Sequence, residues 1–143
     1  MLLLAGVMSA AAPSTHATAA PTRIVVYKDP SCGCCRNWVD HLRKHGFDVV
    51  VHDTSDVSGA KRTGRVPERL VSCHTAFVNG YVIEGHVPAA DIERMLKDKP
   101  KIAGLAVPGM PAGSPGMEMG AGADRYDVVA YTRAGVTSVY AHH

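Results

Sequence analysis

RIVVYKDPSCGCCRNWVDHLRKHG, residues 23–46, places a strand, a sharp break, a cluster of thiols and a helix in direct succession. Arg23 to Tyr27 is a β-branched and aromatic run, which reads as a strand buried on both faces. Lys28-Asp29-Pro30-Ser31 breaks it. From Cys34 to His45, the positions Cys35, Trp38, Val39 and Leu42 recur at i, i+3, i+4 and i+7, the spacing of one helical face. Gly46 after Lys44-His45 is a stop with basic residues in the last turn. At the junction, Cys32, Cys34 and Cys35 put three of the four cysteines within four residues. That is too crowded for a structural disulfide framework, so soft-metal binding and thiol redox chemistry are the candidates.

Working outward, Phe47 to His52 reads as a second strand and Ser55 to Thr63 as a short helix ended by Gly64. Glu68 to Val71 carries no pattern that assigns a form. Thr75 to Val78, Asn79-Gly80 and Tyr81 to Glu84 predict a hairpin, because Asn-Gly supplies the two positive φ angles of a type I′ turn. Gly85-His86-Val87-Pro88 then leads into a helix over about 89–97, with Ile92, Met95 and Leu96 on one face and Pro100 beyond its end. This order is that of a thioredoxin-like domain over residues 22–99: an α/β unit with a four-stranded mixed sheet and flanking helices. Residues 100–143 are expected to form a C-terminal extension packed on the same domain. It comprises a Met/Gly/Pro-rich loop (104–122) and a further β-hairpin (126–131 with 136–140).

The chain has 143 residues, 46% apolar and 20% charged, with a formal charge of +2, which suits one small domain. Lys and Arg are scattered, so nothing suggests nucleic acid as a partner. Residues 1–19 read as a signal peptide: an apolar run followed by Ala17-Thr18-Ala19, a small-residue cleavage pattern. The run is too short to span a bilayer, and no membrane insertion is expected after cleavage. No Lys or Arg precedes the run, the first basic residue being Arg23. Export would place the thiols in an oxidising space.

The topology brings the thiols together. The first strand runs toward the edge where the cysteine helix starts, and a third strand antiparallel to it starts at that same edge, just after Cys73-His74. The fourth strand returns there with Gly85-His86. At this edge a helix N-terminus lowers thiol pKa values and favours thiolate. Cys32 and Cys35 have the Cys-x-x-Cys spacing of a redox pair, for which Cys34 is superfluous. For a soft ion such as Cu(I), extra thiolate is useful, and a bridging sulfur lets the cluster hold more than one ion. Zinc in a four-cysteine site remains open. Three of the six methionines, Met110, Met117 and Met119, lie in the loop, where thioethers offer further soft ligands. His41, His45 and His52 are expected to be solvated, away from this edge.

Cys32-Gly33-Cys34-Cys35, Ser72-Cys73-His74-Thr75, the run from Gly80 to Ala89, and Gly104 to Pro111 with Gly113 to Met117 together resemble the exported copper-resistance protein family CopG and its thioredoxin-like relatives. The resemblance covers about residues 23–140. It implies a periplasmic Cu(I)-binding protein of a copper-resistance system that meets other periplasmic copper-handling proteins. It also implies interconversion of copper oxidation states coupled to thiol and disulfide forms. It assigns Cys32, Cys34, Cys35 and Cys73 as the metal cluster, with His86 and Met117 as candidate additional ligands. The alternative is a metal-free thiol–disulfide oxidoreductase working through Cys32 and Cys35.

Overall fold

The computed structural model describes residues 11–15, 17–120 and 122–143. Most of the expected signal segment lies outside them. Among the described residues, seven strands form one mixed sheet in the order β2-β1-β3-β4-β5-β6-β7. With the three α-helices of the described residues, this makes an α/β fold.

β1 (Arg23–Lys28) and β2 (Asp48–Asp53) pair in parallel across α1 (Gly33–Lys44). α2 (Val57–Thr63) and a 3-10 turn (Glu68–Leu70) lead to β3 (Thr75–Val78), which pairs antiparallel with β1. β4 (Tyr81–Glu84) returns alongside β3 through the Asn79-Gly80 turn, with Thr75 opposite Glu84. α3 (Ala89–Asp98) follows.

The sheet does not stop at four strands. β5 (Gly104–Ala106) pairs in parallel with β4, and the hairpin β6 (Asp127–Tyr131) with β7 (Thr137–His142) extends the same sheet from β5. The expected hairpin is therefore present as a continuation of the sheet. The stretch read as loop from Gly104 onward begins with a short strand held by backbone pairing on both sides.

The main core lies on the face covered by α1 and α3. Trp38, Val39 and Leu42 from α1 meet Ile92 and Met95 from α3 over Ile24, Val26, Ala76, Ile83, Leu105 and Val128. On the other face Leu70, Val82, Ala106 and Tyr131 form a smaller cluster, and the Tyr131 hydroxyl donates to the Gly64 carbonyl (3.0 Å). β1 is not buried on both faces: Ile24, Val26 and Lys28 are buried while Val25 and Tyr27 are only half-buried. The short α2 gives that side a thinner cover.

His41 departs from the expectation of a solvated histidine. It is half-buried between helices, and its Nε2 accepts the Ala89 backbone N–H at the start of α3 (3.0 Å).

Candidate metal centre

The end of β1 and the starts of α1 and β3 converge on one edge of the sheet. Asp29 turns the chain after β1 by accepting from the Ser31 backbone N–H (2.8 Å). Cys32 is then the N-cap of α1, its sulfur accepting the Cys35 N–H (3.4 Å). The sulfurs of Cys32, Cys34, Cys35 and Cys73 all lie within 4.8 Å of one another. Cys32 and Cys35 are joined as a disulfide, Cys34 and Cys73 are free thiols, and the Cys34 sulfur is 3.4 Å from that of Cys32. Cys35 is fully buried and the other three are half-buried, so the cluster is reached from solvent through Cys32, Cys34 and Cys73.

Behind Cys73 stand two buried imidazoles. Its sulfur is 3.2 Å from His74 Nδ1 and 3.1 Å from His86 Nε2. The outer nitrogen of each ring faces a carbonyl: His74 Nε2 faces Gly85 (3.0 Å) and His86 Nδ1 faces Pro115 (2.6 Å). A carbonyl only accepts, so each outer nitrogen carries the proton and each inner nitrogen presents a lone pair to Cys73. The Cys73 thiol has one proton for two such nitrogens. Cys73, His74 and His86 thus form a second group of donor atoms within 4.8 Å, sharing Cys73 with the first. Trp38 closes the floor, its ring 4.3 Å from that of His74 and its Nε1–H donating to the Val87 carbonyl (2.9 Å).

Burial sets the electrostatics. It pushes the Cys73 thiol up to about 11 and holds both imidazoles below the ordinary histidine value, His74 well below it. Without metal, this part of the site is therefore a neutral thiol beside neutral imidazoles. The thiolate character expected from a helix N-terminus does not extend to Cys73, which sits on the β3 lead-in and feels desolvation first.

The Met-rich loop covers the site from the other side. Gly109 donates its N–H to the Val71 carbonyl (3.4 Å), and the Ser72 hydroxyl donates to the Gly109 carbonyl (2.5 Å). These bonds place the Met110 sulfur 3.9 Å from that of Cys34, with Met110 still 52% exposed. Met117 is half-buried and makes no such contact with a thiol among the described residues. Sequence reasoning placed His74 at this edge and Met110 among the loop's soft donors, but named His86 and Met117 as the candidate additional ligands instead. Their signals were adjacency to Cys73 for His74 and membership of the Gly109-Met110-Pro111 run for Met110.

Two solved structures titled copper resistance protein CopG, form 2 and form 1, resemble this chain. They are 48% and 49% identical to it, each comparison covering 86% of this chain and 98% of the other, with TM-scores of 0.82 and 0.81. The chain belongs to the CopG family of copper resistance proteins. A family model described as a protein of unknown function, DUF411, matches residues 70–117. That span includes Cys73, His74, His86, Met110 and Met117 but begins after the three clustered cysteines. No curated protein sequence matches the chain.

The donor set suits what the CopG neighbours' title names. Four sulfurs, a thioether and two imidazole nitrogens converge with no carboxylate in either group, and such soft donors select copper over hard cations.

Proposed function

We propose that this CopG-family protein is a periplasmic Cu(I)-binding protein of copper resistance and homeostasis. In this reading residues 1–19 direct export and are removed. Residues 22–99 are a thioredoxin-like domain that presents the cysteine cluster, and residues 100–143 pack on it and supply the Met-rich loop. Cys32, Cys34, Cys35 and Cys73 are the metal ligands. His86 stands next to Cys73 as a further ligand, while Met117 belongs to the loop that closes the site.

The observation that carries the reading is the approach of all four sulfurs within 4.8 Å of one another. With the disulfide reduced, four thiolates held that close would repel one another unless a cation were shared among them, and a bridging sulfur lets the cluster hold more than one Cu(I). The Cys32–Cys35 disulfide supports a redox component. Its formation releases two electrons and two protons, and two Cu(II) ions accept those electrons and become Cu(I). Periplasmic copper-handling proteins are the partners for loading and unloading.

Anaerobic titration of the fully reduced protein with Cu(I), against a chromophoric chelator, tests this. More than one tightly held ion is expected, with a lower number in Cys34→Ser. A reduced wild-type protein that holds no copper overturns the reading.

The disulfide at the start of α1 favours a second reading, a metal-free thiol–disulfide oxidoreductase using Cys32 and Cys35. It requires reduction of a protein disulfide that survives both strict chelation and Cys34→Ser. Loss of turnover in either condition removes it.

A further inference from the structure

At the end of the sheet away from the thiols, where the Asn79-Gly80 turn joins β3 to β4, a cavity of about 290 Å³ opens between the end of α2 and the turn of the last hairpin. Val82, which lines it, stands level with Gly104 and Tyr131 across β4, β5 and β6. Phe77, Val82, Ile102 and Ala103 give the cavity apolar walls, and the charged residues that line it are Arg65 and Arg133. Its volume is close to the small end of ligand cavities, roughly 300–1,000 Å³.

The walls are tied in place. The Tyr131 hydroxyl donates to the Gly64 carbonyl (3.0 Å), which fixes the end of α2 on β6. Arg69 Nη2 donates to the Gly135 carbonyl (2.8 Å), which fixes the hairpin turn that carries Arg133. Gly64 packs so tightly on β4 that a Cβ there would lie 2.9 Å from Val82 Cγ1. Arg65 takes a φ of +51°, a left-handed backbone that a bulky side chain rarely adopts. Arg62 is paired with Asp56 and Arg69 is bonded to Gly135. Among the described residues, by contrast, neither the Arg65 nor the Arg133 guanidinium has a hydrogen-bond or ion-pair partner.

A guanidinium is permanently charged and presents a planar fork of N–H donors that matches a carboxylate. Two of them at the rim of an apolar recess recognise an anion whose body is apolar. A phosphate seated there would turn an oxygen toward Phe77 and Val82, where no side chain donates to it, and an unsatisfied buried polar group is costly. A carboxylate can turn both its oxygens to the arginines. We propose that this cavity binds a carboxylate with a small aryl or branched-alkyl body, the body resting on Phe77, Val82 and Ile102 and the oxygens taken by Arg65 and Arg133. A free small acid and the C-terminal residue of another protein chain both carry this chemistry. The site stands apart from the copper-binding reading, because the length of β3 and β4 separates it from Cys73 and His86.

Titration of the intact, nitrogen-15-labelled chain with hydrocinnamate, followed through its amide NMR signals, tests this. Saturable shifts are expected at Gly64, Arg65, Gly80, Ala103 and Arg133, with none at Cys34 or His86. The neutral isostere hydrocinnamide should bind about tenfold more weakly, the scale of a hydrogen bond to a charged group, and inorganic phosphate should not displace the acid. Arg133→Gln should weaken binding about tenfold. Arg65→Gly removes the guanidinium but suits the left-handed backbone, so it should weaken binding as much without lowering Tm. Arg36→Gln, on the exposed side of α1, should leave binding as in the wild type. A second arm uses the peptide acetyl-Gly-Gly-Phe with a free carboxyl terminus: shifts at the same amides assign the site to chain ends as well, and their absence assigns it to free acids. The proposal is overturned by equal binding of acid and amide, by displacement with phosphate, or by undiminished binding in the Arg65→Gly, Arg133→Gln double variant. Absence of saturable shifts at these amides with hydrocinnamate also overturns it.

Discussion

The Cys73 sulfur and His86 Nε2 are 3.1 Å apart, and the proton of that imidazole is held on its other nitrogen by the Pro115 carbonyl. The pairing makes His86 a neutral ring with its lone pair turned inward, at a point where a thiol proton can be exchanged for a metal. Replacing it with a side chain that keeps polarity but not the inward nitrogen isolates that role. His86→Asn should lower Cu(I) affinity by on the order of tenfold in chelator competition, the usual scale for removing a group at a metal centre. An unchanged affinity would assign His86 to packing alone.

Acidity should destabilise the metal-free protein. Burial depresses the pKa values of His74, His86 and His41 below the unfolded value of 6.5. Above that value the imidazoles are neutral in both states and the full stability is present. Below it the unfolded chain takes up protons that the folded chain refuses, so stability falls with pH toward the depressed values. Burial raises the pKa of Glu84, which acts in the opposite sense above 4.5, so a difference measurement is needed. In chelated samples the drop in Tm between pH 7.5 and pH 5.5 should be smaller for His74→Gln than for the wild type. Equal drops would show that His74 is not held neutral.

A buried ion pair props the Cys73 segment from the far side of the sheet. Glu84, fully buried, accepts from Lys61 Nζ (2.5 Å), from the Thr75 hydroxyl (2.6 Å) and from the Ser72 backbone N–H (2.9 Å). Lys61→Ala leaves the carboxylate without its cation and should cost about 3 kcal/mol in urea unfolding. A loss below about 1 kcal/mol would mean that water replaces the lysine.

Gly116 lets the loop touch the cysteine helix. At φ +90°, a Cβ there would lie 2.8 Å from the Cys34 carbonyl oxygen and the Trp38 nitrogen, and 3.0 Å from His86 Nδ1. Gly116→Ala should therefore lower Tm and also loosen the loop over the thiols, making Cys34 alkylate faster than in the wild type. An unaltered alkylation rate would place the loop's closure elsewhere.

Much of this site was legible because two short signals act at a distance. Asn79-Gly80 ties β3 to β4 residue by residue, so the positions before Thr75 and after Glu84 must share an edge, and Cys73, His74 and His86 travel with them. The helical spacing of Cys35, Trp38, Val39 and Leu42 fixes the start of α1 at that same edge. β5 was not legible. Its three residues have no alternation to detect, and Gly104 signals itself only in three dimensions, where a Cβ would sit 2.0 Å from the Val82 carbonyl oxygen. Nor could spacing separate Met110 from Met117. What selects Met110 is a backbone bond from Gly109 to Val71 and a bond from the Ser72 hydroxyl to the Gly109 carbonyl, nearly forty residues earlier in the chain. The raised pKa of Cys73 likewise depends on burial, to which a residue-by-residue reading is blind.

The segment between Ala106 and Asp127 leaves one strand of the sheet and re-enters on its neighbour, because β5 pairs directly with β6. Both ends of the loop are thereby pinned before any ion arrives, and loop-closure entropy is met by pairing that the fold makes anyway. Drift at its exposed positions can then tune which ions or protein surfaces the mouth accepts while the framework beneath stays constant. The last hairpin, though it adds no residue to the thiol cluster, becomes the hinge post on which such variation depends.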